Sequence, residues 1–198
     1  KLRKSIGRKG KVKYMKYFID VVLLFFALPL FLFFYPIISL LILIFDGTPI
    51  LYSQLRVGLY GNEFKLYKFR TMSILSDDSV HQNHYENLSE NKKIEPSLTP
   101  DNPIRIENDD RITKVGNILR KTSLDELPNI INVLIGNMSF VGPRPLVKYE
   151  SDLYGKYLEE RNSVKPGITG LAQIQGRLDL SLQERLYWDL QYVKSKSF

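Results

Sequence analysis

Apolar and polar positions divide the chain sharply. Residues 21–45 are almost wholly apolar and are bounded by Asp20 and Asp46, whereas residues 73–110 are almost wholly polar. As a helix the apolar segment would be roughly 37 Å long, enough to cross a bilayer core of about 30 Å. It has no polar face, which argues against a buried helix of a soluble protein. The pattern therefore predicts that residues 21–45 are buried in a membrane.

The charges that flank the apolar segment do not fit a single crossing. A lysine-rich tail, residues 1–20, precedes the segment, and a group of Lys and Arg between residues 56 and 70 follows it. The positive-inside rule places both flanks on the cytoplasmic side. Pro29 and Pro36 each remove a backbone donor and favour a kink, so a helix that bends at a proline and returns would satisfy the rule. A single span kinked at the prolines stays open as the alternative.

The net charge of +7 belongs to the tail. The first 16 residues carry eight Lys or Arg and no acid, and the other 182 carry 20 basic and 21 acidic residues. A nucleic-acid-binding protein more often carries its basic residues on a folded face, so we expect no nucleic-acid partner. The chain contains no cysteine, which excludes disulfides and thiolate metal sites.

The pattern after residue 46 predicts one domain over residues 46–198, with a helix-dominated α/β fold. Two β-like runs between residues 49 and 72 flank Leu59–Asn62 and predict a small β-hairpin. Residues 76–110 predict a long polar loop insertion. Helices are predicted over residues 112–121, 123–134 and 149–162, and from Ser181, where Ser181 and Glu184 form a capping box and Leu182, Leu186, Leu190 and Val193 form one apolar stripe. Ser139–Pro145 is predicted to be a loop and Lys165–Gly170 a turn.

Asp125 and Glu126 fall in the first turn of the helix that Thr122 or Ser123 would cap. Free N–H groups and the positive dipole at a helix start favour a bound phosphate and an ionised Asp125, which a carboxylate nucleophile requires. Two neighbouring carboxylates also suit Mg²⁺, which prefers oxygen ligands and substrate phosphates. Ser123 to Glu126 is itself a capping box, so an ordinary helix start is the alternative on these residues alone.

Two arginines near this pair are candidates for phosphate contact. Arg144 lies between Pro143 and Pro145, which restrict the backbone and suit a bidentate guanidinium contact. An incidental arginine in a surface turn is the alternative. Arg120 precedes the acidic pair and could reach the same anion, although a cation is also favourable at the end of the preceding helix.

Four motifs in a fixed order carry a resemblance to a known family. They are SQLRVG (Ser53–Gly58), YKFRTM (Tyr67–Met72), the block from Ser123 to Pro145, and VKPGITGLAQIQGR (Val164–Arg177). With the apolar segment, the similarity runs from about Lys13 to the end of the chain. The chain resembles the bacterial sugar transferases, the monotopic polyprenyl-phosphate phosphoglycosyl transferases.

The resemblance implies a monotopic membrane protein with a re-entrant membrane helix, amphipathic helices lying on the bilayer and a small hairpin. The membrane helix would break at a proline, and Pro36 is the nearer match by its distance to Ser53. Tyr35 stands where the family often has serine, and Pro29 is an additional candidate for the break. The implied location is the bacterial inner (cytoplasmic) membrane, with the site on the cytoplasmic face.

The resemblance also implies an activity, the transfer of a sugar 1-phosphate from a UDP-sugar to polyprenyl (undecaprenyl) phosphate with release of UMP. This reaction would initiate assembly of a membrane-bound glycan such as an exopolysaccharide, capsule or O-antigen. Asp125 would attack the β-phosphate and form a covalent phosphosugar intermediate in a ping-pong mechanism, and Glu126 would bind Mg²⁺. The cations expected around substrate phosphates or lipid headgroups are Arg120, Arg144, Lys68 and Arg70.

The residues leave two other function classes open: a membrane-anchored protein that binds anionic lipid without turnover, and a scaffold that has lost activity. Release of UMP that depends on Mg²⁺ and polyprenyl phosphate would separate the enzyme from both. The motifs handle phosphates and do not specify the sugar. Association into a homo-oligomer is also left open.

Overall fold

The computed structural model describes residues 2–74, 79–89, 94–98 and 109–195. The helices are α1 (Leu2–Phe45), α2 (Ser79–Ser89), α3 (Lys114–Thr122), α4 (Asn129–Leu134), α5 (Lys148–Asp152), α6 (Leu158–Arg161), α7 (Leu171–Gln175) and α8 (Leu182–Ser195). The strands are β1 (Leu51–Val57), β2 (Glu63–Phe69), β3 (Ser139–Val141) and β4 (Gly167–Thr169). Single 3₁₀ turns lie at Leu59–Gly61, Leu124–Glu126, Gly155–Tyr157 and Arg177–Asp179. The helix-dominated fold with little sheet is as predicted.

Helix α1 extends through both the basic tail and the apolar segment. It begins at Leu2, so the predicted boundary near residue 20 is not a boundary of secondary structure. Tyr14–Phe45 is long and apolar enough to cross a membrane, and only 6% of its most apolar window is buried within the protein. The helix continues through Pro29 and Pro36, so neither proline ends it, and a bend that returns the chain to one membrane face stays a prediction.

Both ends of the apolar segment are bonded to the same folded domain. At one end, Asp20 Oδ1 accepts a hydrogen bond from Ser139 Oγ at 2.9 Å, and Lys16 Nζ donates to a carbonyl of β3 at 3.0 Å. At the other end, Asp46 Oδ2 accepts from Thr113 Oγ1 at 2.8 Å. These hydrogen bonds hold both ends of the apolar segment against one domain.

Strands β1 and β2 form the predicted antiparallel hairpin, with Leu51 opposite Phe69 and Val57 opposite Glu63. Successive side chains of a strand point to opposite faces, so Lys68 lies on the same face of β2 as Phe64 and Leu66. Those two buried residues pack against α4 and the segment that follows it. The hairpin therefore directs Lys68 toward the turn that carries Asp125 and Glu126.

A second, parallel pair of strands joins two segments that were predicted as a loop and a turn. β3 pairs with β4, with Ser139 opposite Gly167 and Val141 opposite Thr169. The two backbones are so close that a Cβ on Gly167 would lie 2.1 Å from the amide nitrogen of Gly142. Each strand is three residues long, too short for an alternating pattern to reveal it.

The carboxyl-terminal part of the domain packs around α8. Leu182, Leu186 and Leu190 are almost fully buried, as their helical spacing predicted. The predicted capping box is present, because Ser181 N donates to Glu184 Oε2 at 2.9 Å and Glu184 N donates to Ser181 Oγ at 3.3 Å. The helix predicted over 149–162 is divided into α5, a 3₁₀ turn and α6.

The predicted polar loop over residues 76–110 contains helix α2, whose Tyr85 is only 1% exposed and belongs to the same core cluster as Leu186. At least this part of the insertion is therefore packed onto the domain. Most of the remaining insertion lies outside the described residues.

Candidate active site

The two carboxylates lie in a 3₁₀ turn between two helices. α3 ends at Thr122, Ser123 adopts a left-handed conformation with φ 59°, and Leu124–Glu126 forms the turn. The single helix predicted over residues 123–134 is therefore wrong. Pro128 explains the error, because proline has no N–H to continue a helix and the next helix starts only after it. The short turn also replaces the α-helix start that was expected to attract phosphate.

Glu126 forms the centre of a charge cluster. Its Oε1 accepts hydrogen bonds from Lys68 Nζ at 2.7 Å and from Arg144 Nη1 at 2.9 Å. The side chain is directed at these two cations, and the side chain of Ser123 makes no capping hydrogen bond. The capping-box interpretation of Ser123 to Glu126 is therefore wrong.

Asp125 lies beside this cluster and is 9% exposed. Its Oδ2 is 3.8 Å from Lys68 Nζ, beyond hydrogen-bond distance but close enough for strong electrostatic attraction. Lys68 thus lies between the two carboxylates: it is bonded to Glu126 and attracts Asp125. The structure brings together Asp125, Glu126, Lys68 and Arg144, as the sequence predicted.

The surroundings give the two carboxylates different acidities. Burial raises the pKa of Asp125, against the opposing charges of Lys68, Arg144 and Arg120. Burial also disfavours the Glu126 anion, but Arg144 and Lys68 together outweigh it and hold the pKa of Glu126 far below its usual range. Glu126 is therefore a fixed anion, whereas Asp125 is the more basic carboxylate of the pair.

The two other predicted cations have different positions. Arg120 Nε donates to Thr71 Oγ1 at 2.9 Å, and Asp125 and Arg120 influence each other's pKa. Arg70 is buried, and its Nη2 donates to the carbonyls of Asp46 and Gly47 at 2.6 and 2.7 Å. Because Arg70 is engaged at the end of α1, the phosphate or lipid contact predicted for it is not supported, and we assign it a structural role there.

Two further residues near the site were missed by the sequence interpretation. Asn132, on α4, is fully buried; it accepts from Tyr67 N at 3.1 Å and donates to the Lys65 carbonyl at 2.7 Å, which fixes β2 next to Lys68. An asparagine within the apolar run NIINVL was the available signal. Arg177, the last residue of the fourth motif, donates from Nη1 to Ser123 Oγ at 2.9 Å. It adds another cation next to the carboxylate turn.

The acidic pair can accommodate a magnesium ion of the kind that nucleotide substrates bring. Among the described residues, no group of three or more His, Cys, Asp or Glu could hold a metal ion. Mg²⁺ does not need such a group, because it is commonly bound by one or two carboxylates, water and substrate phosphates. Lys68 and Arg144 both contact Oε1 of Glu126, so a magnesium ion held by this residue would share it with two cations.

Comparison with known proteins gives consistent matches. A family model described as bacterial sugar transferase matches residues 11–198. A UDP-galactose-lipid carrier transferase from Erwinia amylovora is 42% identical over 80% of this chain and 33% of that protein. An undecaprenyl-phosphate galactose phosphotransferase from Salmonella typhimurium is 43% identical over 76% of this chain and 30% of that protein. Exopolysaccharide production protein ExoY from Rhizobium meliloti is 40% identical over 98% of this chain and 81% of that protein. The chain thus spans about a third of the length of the first two relatives.

Proposed function

Because the chain belongs to the bacterial sugar transferase family, we propose that it transfers a sugar 1-phosphate from a UDP-sugar to polyprenyl phosphate, with release of UMP. The observation that carries the proposal is the cluster in which Lys68 and Arg144 converge on Glu126 beside the buried Asp125. The names of two relatives, which refer to a lipid carrier and to undecaprenyl phosphate, support the same reaction. The product would initiate assembly of a membrane-bound glycan.

In the first step, an oxygen of the Asp125 carboxylate attacks the β-phosphorus of the UDP-sugar. The bond between that phosphorus and the oxygen bridging the two phosphates breaks, and UMP leaves with the electron pair. The sugar phosphate remains on Asp125 as an acyl phosphate. The raised pKa of Asp125 favours its role as nucleophile, because a more basic carboxylate donates its electron pair more readily.

In the second step, a phosphate oxygen of polyprenyl phosphate attacks the phosphorus of this intermediate. The bond between Asp125 and phosphorus breaks, and the carboxylate is regenerated. The product is a polyprenyl diphosphate sugar, so the reaction is ping-pong, with one diphosphate bond broken and one formed. Lys68 and Arg144 supply positive charge where the phosphoryl oxygens gather charge in each transition state.

Glu126 has a separate task in this proposal. Its anion holds Lys68 and Arg144 at 2.7 and 2.9 Å and would be the residue that holds Mg²⁺. When bound, the ion would neutralise charge on the diphosphate of the donor. The charge of Arg120 lowers the pKa of Asp125 and would help to keep this carboxylate ionised as the donor arrives.

The placement of the site follows from helix α1. We propose that α1 enters the bacterial inner membrane from the cytoplasmic face and returns to it, so that the domain contacts the headgroups on that face. The ties at Asp20 and Asp46 to one domain support this placement, because a single crossing would separate the two ends. The acceptor phosphate, which lies at the headgroup level, would then be near the carboxylate turn.

The direct test is UMP release from a panel of UDP-sugars by the purified protein in detergent or nanodiscs, with and without undecaprenyl phosphate and Mg²⁺. We expect release with at least one donor, no turnover after chelation by EDTA, and none in Asp125→Asn. A radiolabelled sugar phosphate bound to the wild-type protein in the absence of acceptor, and lost in Asp125→Asn, would identify the intermediate. Binding of anionic lipid without UMP release from any donor would refute the enzyme and favour the binding protein.

A further inference from the structure

We propose that Arg161 is a positioning residue, which fixes Arg144 at the carboxylate cluster by holding its backbone carbonyl, and that Asp189 in turn holds Arg161. The role of Arg144 in the reaction rests on the proposed function, whereas the mechanical role of Arg161 does not. Neither Arg161 nor Asp189 lies in the carboxylate turn.

The contacts of Arg161 leave its guanidinium little freedom. Arg161 is 2% exposed at the end of α6, and Asp189 is 1% exposed on α8. Nε and Nη2 of Arg161 each lie 2.8 Å from Asp189 Oδ2, and Nη2 also donates to the carbonyl oxygen of Arg144 at 2.7 Å. A buried carboxylate thus orients a buried guanidinium toward the residue whose side chain contacts Glu126.

The loop that carries Arg144 needs such external support. Pro143 and Pro145 have no N–H, so the loop has few donors of its own, and its carbonyls must be bound by other elements. The Pro143 carbonyl accepts from Gly167 N at 2.9 Å, and the Leu146 carbonyl accepts from Val57 N at 2.8 Å. These bonds fix the ends of the loop to the two sheets.

The middle of the loop is held by side chains. The Pro145 carbonyl accepts from Arg56 Nη1 at 3.3 Å, the longer of the two contacts, and the Arg144 carbonyl accepts from Arg161. Both bonds are charge-assisted, and the shorter is the one from Arg161, at the residue that reaches Glu126. The position of the Arg144 side chain therefore depends on Arg161 more directly than on Arg56.

A simple pinning of α6 to α8 does not account for this geometry. The ion pair between Arg161 and Asp189 would be enough to hold α6 against α8, and a lysine at position 161 could form such an ion pair. A guanidinium can bind a carboxylate and a carbonyl at the same time through donors in one plane, whereas an ammonium lacks this fixed fork. The chemistry of arginine is needed here for the third contact, to the loop.

The test is a double-mutant comparison of Arg161→Lys and Arg144→Lys, assayed by UMP release. We expect Arg161→Lys to lower kcat/KM by about tenfold to a hundredfold, because small misplacements of a phosphate ligand have effects of that size. In the Arg144→Lys background, the same substitution should change kcat/KM by less than about twofold, since the two residues act in series. Effects that multiply would overturn the proposal.

Leu190→Ala is the matched control. Leu190 is 2% exposed and follows Asp189 on α8, so its truncation weakens the same helix packing without touching Arg161. At equal amounts of folded protein, kcat/KM of Leu190→Ala should remain near the wild-type value. An equal loss in the control would show that Arg161 acts only through stability. Asp189→Asn is a second variant, which keeps the Arg161 guanidinium but weakens its bond to residue 189. This variant should lower kcat/KM by about as much as Arg161→Lys.

A readout without turnover separates this proposal from the proposed function. Phenylglyoxal modifies accessible arginines, and peptide mass spectrometry gives the rate at Arg144. We expect faster modification of Arg144 in Arg161→Lys or Asp189→Asn than in wild type or Leu190→Ala. Equal rates in all four proteins would refute the positioning role. An inactive wild-type protein would refute the proposed function and leave this measurement decisive.

Discussion

Asp125 and Glu126 are adjacent carboxylates, but their neutralisation is expected to have opposite consequences for stability. Glu126→Gln removes an anion that accepts hydrogen bonds from Lys68 and Arg144 on one oxygen. The substitution leaves two cations close together with a neutral partner. Asp125→Asn removes a buried charge that repels Glu126 and makes no hydrogen bond with Lys68 at 3.8 Å.

The contacts set the size of the difference. Removing one partner of a buried ion pair costs about 3–5 kcal/mol. Because glutamine still offers a neutral acceptor to Lys68 and Arg144, Glu126→Gln should cost less than complete removal, about 2–3 kcal/mol. For a domain of this size that corresponds to a fall of about 4–12 °C in the unfolding midpoint. At pH 7 the effect is fully present, because a carboxylate with a lowered folded-state pKa stabilises above its unfolded pKa. Asp125→Asn should leave the midpoint within about 2–4 °C of wild type or raise it.

Thermal unfolding of the detergent-solubilised protein, followed by the fluorescence of its one tryptophan, Trp188, measures both variants under one set of conditions. Each variant removes one negative charge from the same turn, so each is the control for the other. Equal losses of stability in the two variants would refute the assignment of Glu126 as the anion that holds the cluster together. A stabilised Glu126→Gln would refute it more strongly.

Three other outcomes follow from the contacts. The kcat/KM for UMP release should fall as the pH drops through the raised pKa of Asp125. Lys68→Met should shift this fall to higher pH, because the charge of Lys68 lowers the pKa of Asp125. A pH profile that does not shift would contradict the electrostatic interaction between Lys68 and Asp125. Arg70→Met should lower the unfolding midpoint and leave KM for the UDP-sugar unchanged, since Arg70 donates to carbonyls at the end of α1; a raised KM in steady-state assays would restore its role in substrate binding. Gly116→Ala should destabilise the protein by about 1–3 kcal/mol in denaturant unfolding, because its Cβ would lie 2.1 Å from the Thr71 carbonyl oxygen. A variant as stable as wild type would show that α3 can move away from the backbone at Thr71 at little cost.

Much of the fold and site was accessible from sequence where the pattern is long or the motif is dense. The apolar stretch predicted α1, the two β-like runs predicted the hairpin, and the apolar stripe with its capping box predicted α8. The family resemblance carried by the four motifs implied one site for Asp125, Glu126 and Arg144, with Lys68 among the cations expected around it. Their convergence in the structure requires the hairpin and the loop after β3 to approach one turn.

The errors have local physical causes. The prediction of one helix after Ser123 did not take Pro128 into account. The capping-box pattern is valid locally, but in the structure Glu126 binds two cations from distant segments of the chain instead. The contact predicted for Arg70 with phosphate or lipid stays a prediction; the structure shows its guanidinium buried and bonded to two carbonyls, which the sequence does not reveal. β3 and β4 were missed because strands of three residues depend on partners that are far away along the chain.

The hydrogen bonds of α1 at Asp20 and Asp46 also affect the depth that the helix would have in a membrane. With both ends of its apolar segment bonded to one domain, α1 is held in one orientation relative to that domain. In the proposed re-entrant arrangement α1 does not span the bilayer, so these bonds, and not a match between helix length and bilayer thickness, would set how deeply it is inserted. The depth of the acceptor phosphate relative to Asp125 would then be set by the protein, and we expect the proposed transfer to depend little on bilayer thickness.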